Sequence, residues 1–521
     1  MTLKKYIPFL IYLLLILGCF AIVILTGKLT GQEEEAKQSE TSREISEAET
    51  ESPSETAAPS REKEQEESRS ELPAETPDRR QYRQEWAEET EAVPEEESYE
   101  PPVLMLASDL HYISANTHDG GTAFEEMVKQ DDGKISRYSD VLIDALVEEA
   151  IAKKPSALVL TGDITLNGER ENHLGLAEKL GRAVEAGIPV LVVPGNHDIK
   201  NRNAATYYGG MREPAEYLEN AEDFVDIYHA CGYDQAFVRD ENSLSYLYAL
   251  DETHWMLMLD TCQYEDYNHV NGRLKPETLA WLEDYLLLAR EQGIMVLPVG
   301  HHNLLSESRL YTTECTMENH RDIVRLFEKY EIPLYISGHL HAQRIKKHKQ
   351  EPGVAAEAYG IAEIVLSPYS IPPCQYGRLE WEADGGMCFE TEKPDVAAYA
   401  GSQGLEDENL LQFSEYGPEY LKGIAENQAR KTLRSIPEEL KDEMVSLYGQ
   451  LYYDYCAGNQ MSRDQVQATR AYRLWERIDP DNRYVKDMGQ MMEDVRREQH
   501  DWSRQGIPKE KEEGPVDKKG G

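Results

Sequence analysis

Between residues 103 and 342 the chain repeats one pattern, a short apolar run followed at once by a polar cluster. Val103–Ala107 leads into Ser108-Asp109-Leu110-His111, Ala157–Leu160 into Thr161-Gly162-Asp163, and Val190–Val193 into Pro194-Gly195-Asn196-His197-Asp198. Ile294–Gly300 leads into His301-His302-Asn303, and Leu334–Gly338 into His339-Leu340-His341. Such runs are too short for helices and predict buried strands. Helical spacing lies between the first three. Ser139 is placed to cap a helix whose face carries Val141, Leu142, Ala145, Leu146 and Ile151 before Pro155, and a second helix is expected around His173–Glu185. Ser245–Leu250 and Trp255–Leu259 flank Asp251–His254 as a hairpin. Strands alternating with helices imply a βαβ-type sheet, in which ligands bind beyond the carboxyl ends of the strands. The polar clusters fall there.

The flanks read differently. Lys4 and Lys5 precede an apolar run from Tyr6 to Thr26, which as a helix is about 31 Å long and matches a bilayer core of about 30 Å. A signal anchor is expected over residues 1–30, with the lysines cytoplasmic and the rest of the chain outside. Ile16-Leu17-Gly18-Cys19 is an alternative lipoprotein signal, and a cleaved signal peptide is a third reading. Residues 31–101 are Glu, Ser, Thr, Pro and Arg with little to bury, and are expected to be an acidic disordered linker. A folded domain is expected over 102–395, with closing strands at Ala362–Leu366 and Gly386–Phe389. A helical region is expected over 404–500, where Pro437 opens a helix with a stripe of Leu440, Met444, Leu447, Leu451 and Tyr455, closed by Gly458. Met461–Ile478 and Tyr484–Arg497 are further helices in this reading, and 501–521 a disordered tail.

Composition narrows the function. The 521 residues include 97 Asp+Glu and 54 Lys+Arg, a formal charge of −43, which argues against a nucleic-acid polymer as partner. Residues 31–100 carry −16 and residues 1–30 carry +3, so the remaining body is −30. Seven cysteines without a C-x-x-C exclude a cysteine zinc module. Cys231 and Cys262 are near enough in the predicted order to pair, which sequence does not establish.

A lone Asp-x-His or His-x-His is a weak signal. Five consecutive clusters, each behind a strand and each built from Asp, His and Asn, supply hard-to-borderline donors suited to Mn, Fe or Zn. Asp109-x-His111, Gly162-Asp163, Gly195-Asn196-His197-Asp198, His301 and Gly338-His339-x-His341 resemble, in order and spacing, the calcineurin-like metallophosphoesterase superfamily. Asn271-Gly272-Arg273-Leu274 through Leu279-x-Trp281-Leu282 is similar to the helix before the fourth motif in its cyclic-nucleotide phosphodiesterase-like branch.

The resemblance implies an α/β fold, a four-layer α/β/β/α metallophosphoesterase sandwich, here with a C-terminal helical extension and an N-terminal transmembrane helix. It implies two divalent metal ions, with Mn favoured over Fe or Zn. Asp109, His111, Asp163 and His341 would hold one metal. Asp163 would bridge to the second, completed by Asn196, His301 and His339. His197 would be the catalytic histidine, and Asp198 would either orient an imidazole or backbone behind the site or simply cap a loop. The implied activity is hydrolysis of phosphate mono- or diesters by a bridging hydroxide; the N-terminal apolar run adds the expectation of a single-pass membrane protein with this domain outside the cytoplasmic membrane. The implied partners are the phosphoester substrate and the membrane, with the cell wall as a further candidate. A non-catalytic or wall-binding scaffold is the competing class. Asn303 departs from the proline found in many relatives, which leaves His302 as a rival ligand. His173 reads as a helix start. Tyr112 is a candidate either for lining the pocket or for covering the strand end. Arg202 and Arg344 are candidate phosphate clamps, and the long insertion 199–244 is a candidate substrate wall.

Overall fold

Strand β8 (His254–Leu259) shows why the apolar runs become two-faced strands. Met256 and Met258 point into the main core, while Trp255, Leu257 and Leu259 belong to a second core on the opposite face. Successive side chains alternate across a strand, so an all-apolar run is stable only with both faces covered. A computed structural model describes residues 99–305, 308–348, 360–433, 436–478 and 480–505. The expected anchor and nearly all of the acidic linker lie outside the described residues. Among the described residues, no helix is long and apolar enough to cross a membrane.

Two sheets face one another. The first contains β1 (Val103–Ala107), β2 (Ala157–Leu160) and β3 (Val190–Val192), all parallel, extended by antiparallel β13 (Tyr376–Trp381), β14 (Met387–Glu392) and β15 (Asp501–Arg504) in the order β15-β14-β13-β1-β2-β3. The second has the order β11-β12-β10-β9-β8-β7-β6, from β6 (Val238–Arg239), β7 (Tyr246–Ala249), β8, β9 (Met295–Gly300), β10 (Leu334–Ser337), β11 (Arg344–Lys347) and β12 (Ala362–Val365). A separate hairpin pairs β4 (Ala205–Tyr208) with β5 (Met211–Pro214). Helices Ser139–Lys153 and Arg170–Glu185 share the main core with the first sheet. Helices Pro276–Gln292 and His320–Lys329 share the second core with the outer face of the other sheet. The result is an α/β/β/α sandwich.

Register brings the five strand ends to one edge. Ala107 lies opposite Leu160, and Leu160 opposite Val192, so the polar clusters that follow begin side by side. Beyond them Asp109 N donates to Gly162 O at 3.0 Å, and His301 Nδ1 reaches across from the other sheet to Thr161 O at 2.9 Å.

The C-terminal helices form their own core around Met444, Tyr455, Trp475 and Met488, with Trp475 Nε1 donating to Met444 O at 2.9 Å. Ala342 and Ile371 of the sandwich belong to that core. Three expectations are corrected here. Ser139 does not cap its helix but is its first residue, and its hydroxyl accepts from Ile113 N instead. Met461–Ile478 is two helices, Arg463–Gln467 and Arg470–Ile478, because Ser462 caps the first and a turn separates them. The disordered tail does not begin at 501. Trp502 is buried opposite Phe389, which binds residues 501–504 as the edge strand of the first sheet.

Candidate metal centre

The loops after β1, β2 and β10 turn through the left-handed region of backbone space. Asp109, His111, Asp163, His339 and His341 have φ of 50°, 41°, 46°, 67° and 55°. Each such residue costs about 1–3 kcal/mol, and such strain gathers at functional sites. Two glycines permit the resulting crowding: a Cβ on Gly195 would overlap the Asp163 backbone, and one on Gly338 would overlap the Ser108 hydroxyl.

The strained loops collect two groups of donors that share Asp163. In the first, His111 Nε2 lies 3.2 Å from His341 Nε2 and 3.9 Å from Asp163 Oδ2, and His341 Nε2 is 3.4 Å from Asp109 Oδ1. In the second, His301 Nε2 lies 3.3 Å from Asp163 Oδ2, 3.1 Å from Asn196 Oδ1 and 3.2 Å from His339 Nδ1. Tautomers are set from behind. His301 Nδ1 donates to Thr161 O, and His339 Nε2 donates to Glu314 O at 2.9 Å, so in the neutral rings that a cation requires the other nitrogen of each is a lone pair facing inward. Asp109 accepts from the Ser108 hydroxyl and from His339 N, and Asp163 Oδ1 accepts from His197 N at 2.7 Å.

The electrostatics call for positive charge. Burial alone would raise the Asp163 carboxyl, yet the imidazoles of His301, His197 and His111 hold it well below its ordinary value. Burial would lower His301, but the Asp163 and Asp109 carboxylates push it up to about 9. A proton retained there is the nearest substitute for a cation. Imidazole nitrogens 3.2 Å apart with a carboxylate oxygen of Asp163 close to each group fit divalent cations in both, and their Asp, His and Asn donors leave the choice among Mn, Fe and Zn open.

His302 lies close to His301 and His339, but both its nitrogens are taken: Nδ1 is 2.8 Å from Thr261 Oγ1, and Nε2 donates to Val270 O at 2.9 Å. Asn303 has its own task. Its amide donates to Ser337 Oγ and Gly338 O, tying the end of β9 to the loop that carries His339. His197 presents its ring edge to His111, with centroids 4.7 Å apart, and donates from Nδ1 to Leu166 O at 2.6 Å.

Asp198 orients backbone and no imidazole side chain. Its carboxylate accepts from Ile164 N, Thr165 N, Thr165 Oγ1 and Gly195 N, stapling the Asp163 loop to the Asn196–His197 loop. Burial and the neighbouring Asp163 push it up to about 6, against the lowering effect of those donors. Behind it His173, in the first turn of its helix, donates from Nε2 to Asp198 O and meets the Tyr228 hydroxyl with Nδ1. Tyr112 is buried with its hydroxyl donating to Asp140, so it covers the strand end. Arg344 is no phosphate clamp: it is buried over the Tyr455 ring at 4.1 Å. Arg202 does border the site. With Asn196, His197, Lys200, Asn201 and Asn203 it lines a cavity of about 360 Å³. Only this first stretch of the insertion 199–244 reaches the cavity, since Phe224 and Tyr228 of helix Ala221–Tyr228 are core residues. The rest of the lining is Tyr267, Asn268 and Val270, which sequence reasoning missed. Its only sequence signal was a polar, aromatic stretch between β8 and the next helix. All six cysteines among the described residues are free, Cys231 and Cys262 included.

The C-terminal helices brace the site. Ala342, next to His341, enters their core; Gln343 N donates to Cys456 O, and Ile345 N to Gln499 Oε1. Asp494 accepts from Arg309 N and the Ser308 hydroxyl, pinning the segment that leads to Glu314, the partner of His339.

Residues 103–343 match the family described as calcineurin-like phosphoesterase, and residues 395–498 match the C-terminal domain of cyclic nucleotide phosphodiesterase. Residues 103–343 are a calcineurin-like metallophosphoesterase domain, followed by a C-terminal domain of that second type. Both groups of metal-ligand type are intact, and the protein is a binuclear metallophosphoesterase. Among solved structures it is similar to a dimetal phosphatase from Danio rerio, at 15% identity over 57% of this chain and 97% of that one, with a TM-score of 0.40. It is also similar to the purple acid phosphatase PPD1 from yellow lupin seeds, at 15% identity over 58% of this chain and 53% of that one, with a TM-score of 0.38. No curated protein matches the chain.

Replacing His301 by Ala is expected to lower bound Mn from about two ions per chain to about one, whereas His302→Asn should keep both, since Nε2 and Nδ1 of His302 already have partners. Metal analysis after gel filtration checks this. Equal loss in both variants would place His302 among the ligands. A second expectation concerns pH. Burial holds His173 down at about 3 from an ordinary 6.5, so the folded state favours the neutral ring. Its contribution is therefore present above pH 6.5 and lost as pH falls toward 3, by up to about 1.4 kcal/mol per pH unit. Urea unfolding at pH 7.5 and 5 should show a smaller acid loss in His173→Gln than in the unaltered chain.

Proposed function

We propose that this chain hydrolyses phosphate mono- or diesters outside the cytoplasmic membrane and belongs to the cyclic-nucleotide phosphodiesterase-like branch of its family. The observation that carries the reading is the Asp163 carboxylate shared by two converging donor groups, with His197 beside them at the mouth of a cavity. Asp109, His111, Asp163 and His341 hold one divalent cation, and Asp163, Asn196, His301 and His339 hold the other. When bound, such a pair makes a nucleophile of water near neutral pH and neutralises charge on phosphoryl oxygens. Mn is the favoured ion.

The chain's own residues complete the chemistry. Nδ1 of His197 is committed to Leu166 O, so its remaining nitrogen, Nε2, is the proton carrier. In the imidazolium form Nε2 donates to a phosphoryl oxygen or protonates the departing oxygen. Asp198 keeps the loops of Asp163 and His197 in mutual register. Every expected ligand position is filled, which weighs against a non-catalytic scaffold.

The apolar run Tyr6–Thr26 behind Lys4 and Lys5 supports a single-pass anchor, and the acidic segment after it a spacer that holds the catalytic domain away from the membrane, toward a wall where one is present.

Detergent-solubilised full chain with Mn²⁺ is expected to hydrolyse chromogenic phosphate esters. His197→Ala should lower kcat by about 10²–10⁴-fold, and Asp163→Ala should abolish activity together with metal binding. Absence of metal-dependent hydrolysis of every mono- and diester tried would overturn the reading. For location, protease added to intact cells is expected to remove the catalytic domain, and full protection until lysis would place it inside.

A further inference from the structure

The cavity beside His197 has a chemistry of its own. Its lining residues include Lys200 and Arg202, and the carboxamide residues Asn201, Asn203 and Asn268, but no carboxylate. That is unusual in a body of formal charge −30. Arg202 is exposed and, among the described residues, makes no ion pair, whereas Arg170 and Arg273 are matched with acids. Lys200 is held at φ 57°, a conformation that costs energy for a side chain other than glycine, and its backbone is fixed by Leu218 O. The size, about 360 Å³, falls in the range of small-molecule sites.

These cations are surplus to the scissile phosphoryl group. The donor groups contain two carboxylates, Asp109 and Asp163, and otherwise neutral His and Asn, so two divalent cations with a hydroxide nucleophile would leave the centre positive by about one charge, equal and opposite to that of a phosphodiester. That already matches a phosphoryl group. Lys200 and Arg202 are not among the donors and share the cavity with His197, the residue that serves the departing oxygen in the reading above.

Resting on the hydrolase reading above, we infer that this cavity is the leaving-group subsite for phosphodiesters whose departing alcohol carries a second anionic group. Arg202 is the specificity residue, its planar guanidinium suited to a carboxylate or phosphate. Lys200, whose Nζ donates to Glu265 O, adds field, while Asn201 and Asn268 shape the wall with amides that donate to His197 O, Asn196 O and Ile199 O.

The test uses Mn-loaded full chain and two diesters of methyl phosphate, one releasing phenol and one releasing 3-hydroxybenzoate, whose leaving oxygens differ little in basicity. The unaltered enzyme is expected to favour the carboxylated diester by about tenfold or more in kcat/KM. Arg202→Ala should cut that ratio by about tenfold, and Arg202→Lys should restore part of it, since a cation remains. Hydrolysis of both diesters without preference, or an equal loss on both in Arg202→Ala, would overturn the subsite and leave the hydrolase reading standing. Failure to hydrolyse either diester, or any chromogenic ester, would overturn both.

Discussion

Two carboxylates, Asp109 and Asp163, are buried to within 1% of full enclosure where the two sheets meet. A buried charge is sustained only by opposite charge and hydrogen bonds, since desolvation otherwise forces it neutral. Much of the architecture can be traced to that constraint. The imidazoles of His111, His301 and His341 crowd around the pair, the backbone bends through left-handed conformations to bring them there, and glycines clear the space. Two metal ions fit the same requirement better than the protons that would otherwise be trapped.

Holding so strained a cluster takes support at a distance. Asp198 binds two of the loops to each other through four donors, and His173 secures the Asp198 carbonyl from beneath. Asn303 ties the other sheet's loops together. The C-terminal helices add a third support: Ala342 sits in their core, and Asp494 anchors the segment that runs on to Glu314. The helical region thus joins the phosphoesterase domain at the loop carrying His339 and His341, and its last strand closes the first sheet. An extension that packed elsewhere would leave those loops free to relax out of their strained conformations.

Charge is distributed to the same end. The body repels anions, while the cavity next to His197 is lined without acids and exposes Arg202, which makes no ion pair among the described residues. Contrast between a repulsive surface and a local positive site focuses the field on one entrance.

The strands and their terminal clusters were legible in the chain because both signals are local: an apolar run demands burial, and a polar residue placed just beyond it must lie at the sheet's edge. The alternation of strands and helices likewise implied a βαβ-type sheet, the order of layers followed from the family resemblance, and the residue types pointed to a metal site. What the local pattern left open was settled by contacts between distant positions. His302 and His301 are neighbours of one type, and only Thr261 and Val270, folded against His302, remove it from the donor set. Arg344 and Arg202 were equal candidates until Tyr455 covered one and the cavity exposed the other. The strand at 501–504, read as tail, depends on an edge offered by β14 more than a hundred residues earlier. Asp494 meets Arg309 across 185 residues, and Gln499 meets Ile345 across 154. Sequence by itself therefore determined which chemistry the chain carries and where its strands end. Tertiary structure alone decided which nitrogens stay free, which cation faces the substrate and what braces the loops, because each depends on a partner that no local spacing specifies.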